Sequence, residues 1–364
     1  MKILYLITGL GGGGAEKVVA DLADQMVVLG YQVKIAYLKG DVVVYPKSKD
    51  IELIYLGLET PLDFYKAFKN YKALLITFCP DIVHAHMVHA NIFTRLSRKF
   101  YPVAKLICSA HSNNEGGRLR MLAYKYTHQM ADLTTNVSHD ASNNFEQLGA
   151  VPKNGMITVH NGVDLEKFNL KFTKDTLVIS LGLNPNTPLF IAVGRFHDAK
   201  DYPNLIDAFF KFKQTQEFKT RMPKLLIAGD GELRSIIESQ IQKLGLNQDI
   251  FLLGRRDDIS DLLNISDYFV LSSKYEGLPT VVIEAMACET YVIATDCGGS
   301  AEIMGDTGTL VPSGDSDALS EALQTALNMS KNKILKNNID ARKRIESSFS
   351  LKSSVSRWVE LYES

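Results

Sequence analysis

Short apolar runs recur along the chain, each bounded by turn residues and separated from the next by a stretch with helical spacing. In the first half they fall at 3–8, 33–37, 82–85, 105–109 and 133–137, and in the second at 189–193, 225–228, 250–253, 268–271 and 291–295. Strands that alternate with helices pair in parallel through crossovers, so the pattern predicts a doubly wound α/β sheet built twice. HNGVDLEKFNL closes the first domain, 1–170, and a polar Asn/Pro-containing linker occupies 171–188. The second domain then runs over 189–349. In the last segment, 350–364, Val355, Trp358, Val359, Leu361 and Tyr362 recur at spacings of three and four, as a helix packing one apolar face on the body requires. Two doubly wound domains in series are expected to face each other across a cleft at the carboxyl ends of their strands.

Composition narrows the classes. A length of 364 residues suits two domains, and a net charge of -1 offers no field for gripping nucleic acid across a whole face. No apolar run approaches the ~18 to 20 residues needed to cross a bilayer. The opening MKILYLITGL reads as a buried strand rather than a signal peptide. Cys79, Cys108, Cys288 and Cys297 show neither a C-x-x-C pair nor zinc-like spacing with histidine, which points to a reducing, cytoplasmic setting.

The segment EGLPTVVIE carries the most chemistry. Pro279 fits the first position of a helix, so the run that follows continues as that helix with Glu276 on the loop ahead. Backbone N–H groups of Thr280 and Val281 then face the helix entrance, where an anion is favoured, and Glu284 lies roughly 7 Å further along at ~1.5 Å per residue. That span matches a diphosphate at the entrance and a ribose diol at Glu284. Two glutamates alone also fit a solvated acidic pair on an amphipathic helix. Upstream, GRFHDAK places Arg195 and Lys200 at the end of a strand, where two fixed cations can neutralise a diphosphate, although surface cations fit as well. AGDGELR puts Gly229 and Gly231 at another strand end, and CGGSAEI does the same for Gly298, Gly299 and Glu302. In the first half, the glycines at 11–14 follow the first strand and open a helix, as a phosphate loop or a purely structural turn would. No acid ends the second strand, so a nicotinamide dinucleotide fits poorly. His111 follows a strand directly, and His84 and His86 share a strand face without a carboxylate to complete a metal site.

Taken together, GRFHDAK, AGDGEL, EGLPTVVIE and CGGSAEI, with the glycine run, resemble the retaining glycosyltransferases of family 4, which have the GT-B fold of two Rossmann-like domains. The resemblance covers nearly the whole chain, and Ser300-Ala301 stand where many relatives carry proline before the glutamate. It implies that Glu284 holds the nucleotide ribose and Glu276 the transferred sugar. Arg195, Lys200 and the backbone at Thr280 and Val281 would bind the diphosphate, with Gly14 and Gly231 close to the donor. His111 matches the family's histidine beside the donor sugar, and Arg256 the place that holds the base. The implied reaction is retaining, front-face transfer of a hexose or N-acetylhexosamine from a UDP-sugar, with the departing diphosphate helping to deprotonate the acceptor and no metal or other cofactor. Readings of other classes are an NAD-dependent oxidoreductase and a non-catalytic glycan-binding protein on the same fold.

For the acceptor, two basic stretches mixed with aromatics stand out in the first domain. One holds Arg95, Arg98, Lys99, Phe100, Tyr101 and Lys105, the other Arg118, Arg120 and Lys125 with Leu119, Met121, Leu122, Tyr124 and Tyr126. They fit either a helix resting on an anionic membrane surface or an ordinary solvated helix. On the first reading the acceptor is a lipid-linked oligosaccharide of bacterial surface-polysaccharide synthesis, and the protein is cytoplasmic and peripheral to the plasma membrane.

Overall fold

The computed structural model describes residues 1–113, 116–171 and 174–364. Two compact units are present, one formed by Met1–Gly162 with Lys352–Ser364 and the other by Val163–Leu351.

The first unit is a parallel sheet of β1 (Lys2–Ile7), β2 (Gln32–Tyr37), β3 (Glu52–Tyr55), β4 (Ile82–His86), β5 (Lys105–Ser109), β6 (Leu133–Asn136) and β7 (Ile157–Thr158), in the order β3-β2-β1-β4-β5-β6-β7. Alternation along the strands divides its two faces. Leu4, Leu6, Val83, Ala85, Leu106 and Cys108 pack with Tyr71, Phe78 and Phe93 from the helices Phe64–Phe78 and Val88–Arg98. Tyr5 and His84, register partners on β1 and β4, belong to the other face. There the C-terminal helix Leu351–Glu363 covers them, with Trp358 4.4 Å from the His84 ring and the Tyr362 hydroxyl 2.7 Å from His84 Nδ1 and 3.0 Å from the Tyr5 hydroxyl.

The second unit repeats the design with β8 (Leu189–Val193), β9 (Lys224–Ala228), β10 (Ile250–Gly254), β11 (Tyr268–Leu271), β12 (Tyr291–Thr295) and β13 (Thr309–Val311), in the order β10-β9-β8-β11-β12-β13. Its core centres on Phe190, which stacks on Tyr268 at 4.6 Å and meets Phe209 and Phe212 edge-on. Burying each such ring stabilises the unit by about 1.5–3 kcal/mol. A helix, Lys174–Ser180, lies within the stretch expected as a linker.

In each sheet the strand order reverses beside the first strand, between β1 and β4 and between β8 and β11. Loops leaving the carboxyl ends of strands at such a reversal splay apart and leave a crevice for ligands. The glycines at 11–14, His111, Arg195, Lys200, Gly231, Arg256, Glu276 and Gly298 all follow the carboxyl ends of strands. Cys108, Cys288 and Cys297 are buried and Cys79 is exposed. Burial pushes the Cys288 thiol up to about 12, so it stays protonated and unreactive.

Candidate active site

The loops after β8 and β11 converge at the second reversal point. Lys200 ends a short 3-10 turn, Asp198–Lys200, and the chain enters the next helix through Asp201 in the left-handed region, φ 47°. That bend delivers the Lys200 ammonium to Glu276, with Nζ 2.6 Å from Oε1. Ser273, fully buried, donates its hydroxyl to the same oxygen at 2.7 Å. Behind the pair, Ser272 donates to the Lys200 carbonyl at 2.8 Å, and the Tyr202 hydroxyl donates to the Gly194 carbonyl at 3.0 Å. Lys274 sits 3.3 Å from both Asp198 and Asp201, tying the two loops together from outside.

Glu276 is also fixed from its backbone side. Gly298 has φ +53°, and a Cβ placed there would lie 2.4 Å from the Glu276 carbonyl oxygen. Only glycine admits that approach without displacement. Gly299 N–H then bonds the Gly277 carbonyl at 2.9 Å. The CGGSAEI motif therefore works here as a clamp on the glutamate loop, and Ser300 is fully buried, donating to the Cys297 carbonyl at 2.8 Å.

Beyond the loop, Thr280–Ala287 forms the expected helix, with Pro279 as its N-cap, so that it begins one residue later than predicted. Proline offers no capping side chain, so Thr280 and Val281 open the helix with their amides at its entrance. Glu284 lies on the following turn and is only 5% exposed. A carboxylate so placed presents acceptors and no donors, which suits hydroxyl ligands.

Other predicted residues sit at the same strand ends but not in the cluster. Arg195 is exposed and lies 3.2 Å from Glu232. Arg256 grips Asp258 with two parallel bonds, which raises the affinity of the guanidinium for its proton and holds the Asp258 carboxyl below its usual range. Gly231 owes its lack of a side chain to packing, since a Cβ would come 2.5 Å from the Phe196 carbonyl oxygen.

In the first unit, Gly14 begins the helix Gly14–Val28, and the Glu16 carboxylate folds back over the glycine run, 2.4 Å from where a Gly13 Cβ would stand. Burial raises the pKa of Glu16 against the pull of its own backbone N–H. His111 Nε2 lies 3.0 Å from His86 Nδ1, and burial pulls the His111 pKa down to about 4, leaving the ring neutral at pH 7. The first basic stretch differs from expectation. Arg95 is completely buried, its guanidinium 4.7 Å from the Tyr124 ring centre and bonded to Thr134 at 3.0 Å. Arg98 pairs with Asp132 at 2.7 Å. Neither cation is presented to a membrane. Sequence reasoning missed Ser273 and Asp201, although the Ser-Ser pair at the end of β11 is where a short donor reaches back to the loop it precedes.

The chain belongs to the glycosyltransferases: residues 12–167 match the model of Glycosyltransferase Family 4, and residues 173–344 that of Glycosyl transferases group 1. It is 29% identical to N-acetyl-alpha-D-glucosaminyl L-malate synthase of Bacillus anthracis over 64% of this chain and 60% of that protein. It is 26% identical to the Campylobacter jejuni N-acetylgalactosamine-N,N'-diacetylbacillosaminyl-diphospho-undecaprenol 4-alpha-N-acetylgalactosaminyltransferase over 94% of both chains. The fold is that of Anabaena HepE crystallised with UDP and glucose, at TM-score 0.83 and 19% identity, over 100% of this chain and 99% of that one. The architecture is thus GT-B, two Rossmann-like parallel-sheet domains, and the protein is a transferase of sugars.

Proposed function

We propose that the protein transfers a hexose or N-acetylhexosamine from a UDP-sugar to a lipid-linked oligosaccharide, with retention at the anomeric carbon and without a metal ion. The observation that carries this reading is the convergence of Lys200, Ser273 and Glu276 beside the open entrance of the helix Thr280–Ala287, with Glu284 on its next turn. In this reading Lys200 and Arg195, with the amides of Thr280 and Val281, neutralise the diphosphate. Glu284 takes the ribose hydroxyls and Arg256 the base. Glu276 holds hydroxyls of the sugar, and Gly231 lies close to the donor. The bond from the anomeric carbon to the diphosphate oxygen breaks, and the acceptor oxygen bonds that carbon on the same face. The acceptor proton passes to the departing diphosphate. Fixed cations supply the leaving-group stabilisation that a metal gives elsewhere.

The Campylobacter relative, named for a diphospho-undecaprenol acceptor, supports a lipid-linked acceptor for this chain. So does the helix Arg118–Thr127, which exposes Leu119, Leu122 and Tyr126 beside Arg118, Arg120 and Lys125, as a helix lying on an anionic leaflet does. Among the described residues no helix is long and apolar enough to cross a membrane. The test is incubation with undecaprenyl-diphosphate oligosaccharides and single UDP-sugars in excess EDTA. The expected product is one sugar heavier and keeps the donor's anomeric configuration. An inverted product, or activity only after adding magnesium or manganese, overturns the reading.

A further inference from the structure

Glu276 is held by its carboxylate as well as by its backbone, and both carboxylate bonds fall on one oxygen. Lys200 Nζ lies 2.6 Å and Ser273 Oγ 2.7 Å from Oε1. Among the described residues no donor reaches Oε2, yet that oxygen is not sealed from solvent, in a side chain 14% exposed. A carboxylate facing an ammonium can only accept, so the hydroxyl of Ser273 is the donor in their bond. Oε1 thus has its lone pairs engaged, and those of Oε2 are on offer.

The two donors are not equivalent. Lys200 is long and flexible, and in the reading above its ammonium also serves the diphosphate, which draws it from Oε1. Ser273 has no such freedom. It is 0% exposed, and its carbonyl is fixed from behind by the Thr295 hydroxyl at 2.8 Å and the Ser313 hydroxyl at 3.1 Å. Its neighbour Ser272 donates to the Lys200 carbonyl at 2.8 Å, so the end of β11 anchors both loops. The terminal torsion of a glutamate is broad and roughly two-fold, and a carboxylate without a fixed donor turns about it readily. We propose that Ser273 is a positioning residue for Glu276: its hydroxyl fixes the carboxylate torsion and leaves Oε2 as the oxygen that takes the hydroxyls of the donor sugar. The proposal rests on the reading above, in which Glu276 serves the sugar while other residues serve UDP. Loss of the Ser273 hydroxyl is therefore felt by the sugar and not by the nucleotide.

The test is equilibrium binding to the full-length protein, by calorimetry, of UDP and of UDP-glucose, UDP-galactose and their N-acetylhexosamine counterparts. The sugar nucleotide that wild type binds most tightly is carried into the variants. Ser273→Ala is expected to bind UDP within twofold of wild type and the UDP-sugar at least tenfold more weakly, the size of one hydrogen bond to a charged group. Ser273→Cys fills the same space with a weaker donor and is expected to fall between the two. A ratio of UDP-sugar to UDP affinity at the wild-type value in both variants overturns the proposal. So does an equal loss of both ligands, which a merely structural serine would give. Failure of the underlying reading looks different: Glu276→Gln then leaves the ratio unchanged as well, whereas a ratio shifted by Glu276→Gln but not by Ser273→Ala keeps the reading and removes the proposal.

Discussion

Lys200 and Glu276 form an ion pair whose strength follows from its burial, and a second pair in the same unit provides the control. The Lys200–Glu276 contact is 2.6 Å long, with side chains 21% and 14% exposed. At an effective dielectric near 20, that separation gives roughly 6 kcal/mol of attraction. Partial loss of hydration by both ions offsets several kcal/mol of it. Lys200→Met leaves a mostly buried carboxylate to which the Ser273 hydroxyl still donates, a loss of about 2–3 kcal/mol. Glu276→Gln keeps an acceptor for Ser273 and strands only an ammonium that can swing toward water, costing about 1 kcal/mol. The double variant removes both charges together, so the two single losses should exceed the combined loss by about 1–2 kcal/mol. Arg195–Glu232, at 3.2 Å with side chains 71% and 47% exposed, is screened by solvent, and its coupling should fall within error. Urea unfolding followed by far-UV circular dichroism, in low salt and in 0.5 M NaCl (about a 4 Å screening length), supplies both cycles. Salt should leave the first coupling nearly intact. A Lys200–Glu276 coupling below about 0.5 kcal/mol, or one erased by salt, would refute the claim that burial governs this site.

Three further outcomes follow from single contacts. Tyr362→Phe removes a buried hydroxyl shared by Tyr5 and His84, and should cost about 1–3 kcal/mol, read as a lower melting temperature; an unchanged melt would mean the bonds contribute nothing. Gly298→Ala forces a Cβ to within 2.4 Å of the Glu276 carbonyl at φ +53°, so transfer activity should drop more than tenfold while circular dichroism stays native, and wild-type turnover would show that the clamp is dispensable. Burial holds the pKa values of His84, His86 and His111 below 6.5 in the folded state, so the unfolded chain takes up protons that the folded one refuses as pH falls through that value. Their stabilising contribution is complete above pH 6.5 and is lost on acidification; for His111, whose folded pKa is about 4, the loss approaches roughly 3 kcal/mol at pH 4. Thermal scans at pH 7.5 and pH 5 that superimpose would contradict this.

The long, buried strands were legible because parallel strands covered on both faces leave uninterrupted apolar runs. β3, β7 and β13 were not, being four, two and three residues long at or near sheet edges, with few buried side chains to mark them. The residues of the EGLPTVVIE segment and its two upstream cations could be placed at strand ends from spacing alone. Their partners could not, because the Lys200–Glu276 bond joins residues 76 apart and depends on the left-handed bend at Asp201. Glycine was ambiguous in the sequence for a physical reason: Gly231 and Gly298 are both explained by backbone approaching backbone, a need that looks the same as approach to a ligand. Arg95 misled because a charged residue among aromatics reads as surface, whereas here the Tyr124 ring and two threonines, Thr127 and Thr134, replace water around it.

The most direct test of the account is UDP release by the purified protein with a lipid-linked oligosaccharide acceptor and each UDP-sugar offered singly, for wild type, Lys200→Met and Glu276→Gln. The account predicts release with one sugar, dependent on acceptor, and a fall of at least a hundredfold in both variants while UDP binding by Glu276→Gln persists. Undiminished release by either variant would contradict the assignment of the donor site to the loops after β8 and β11.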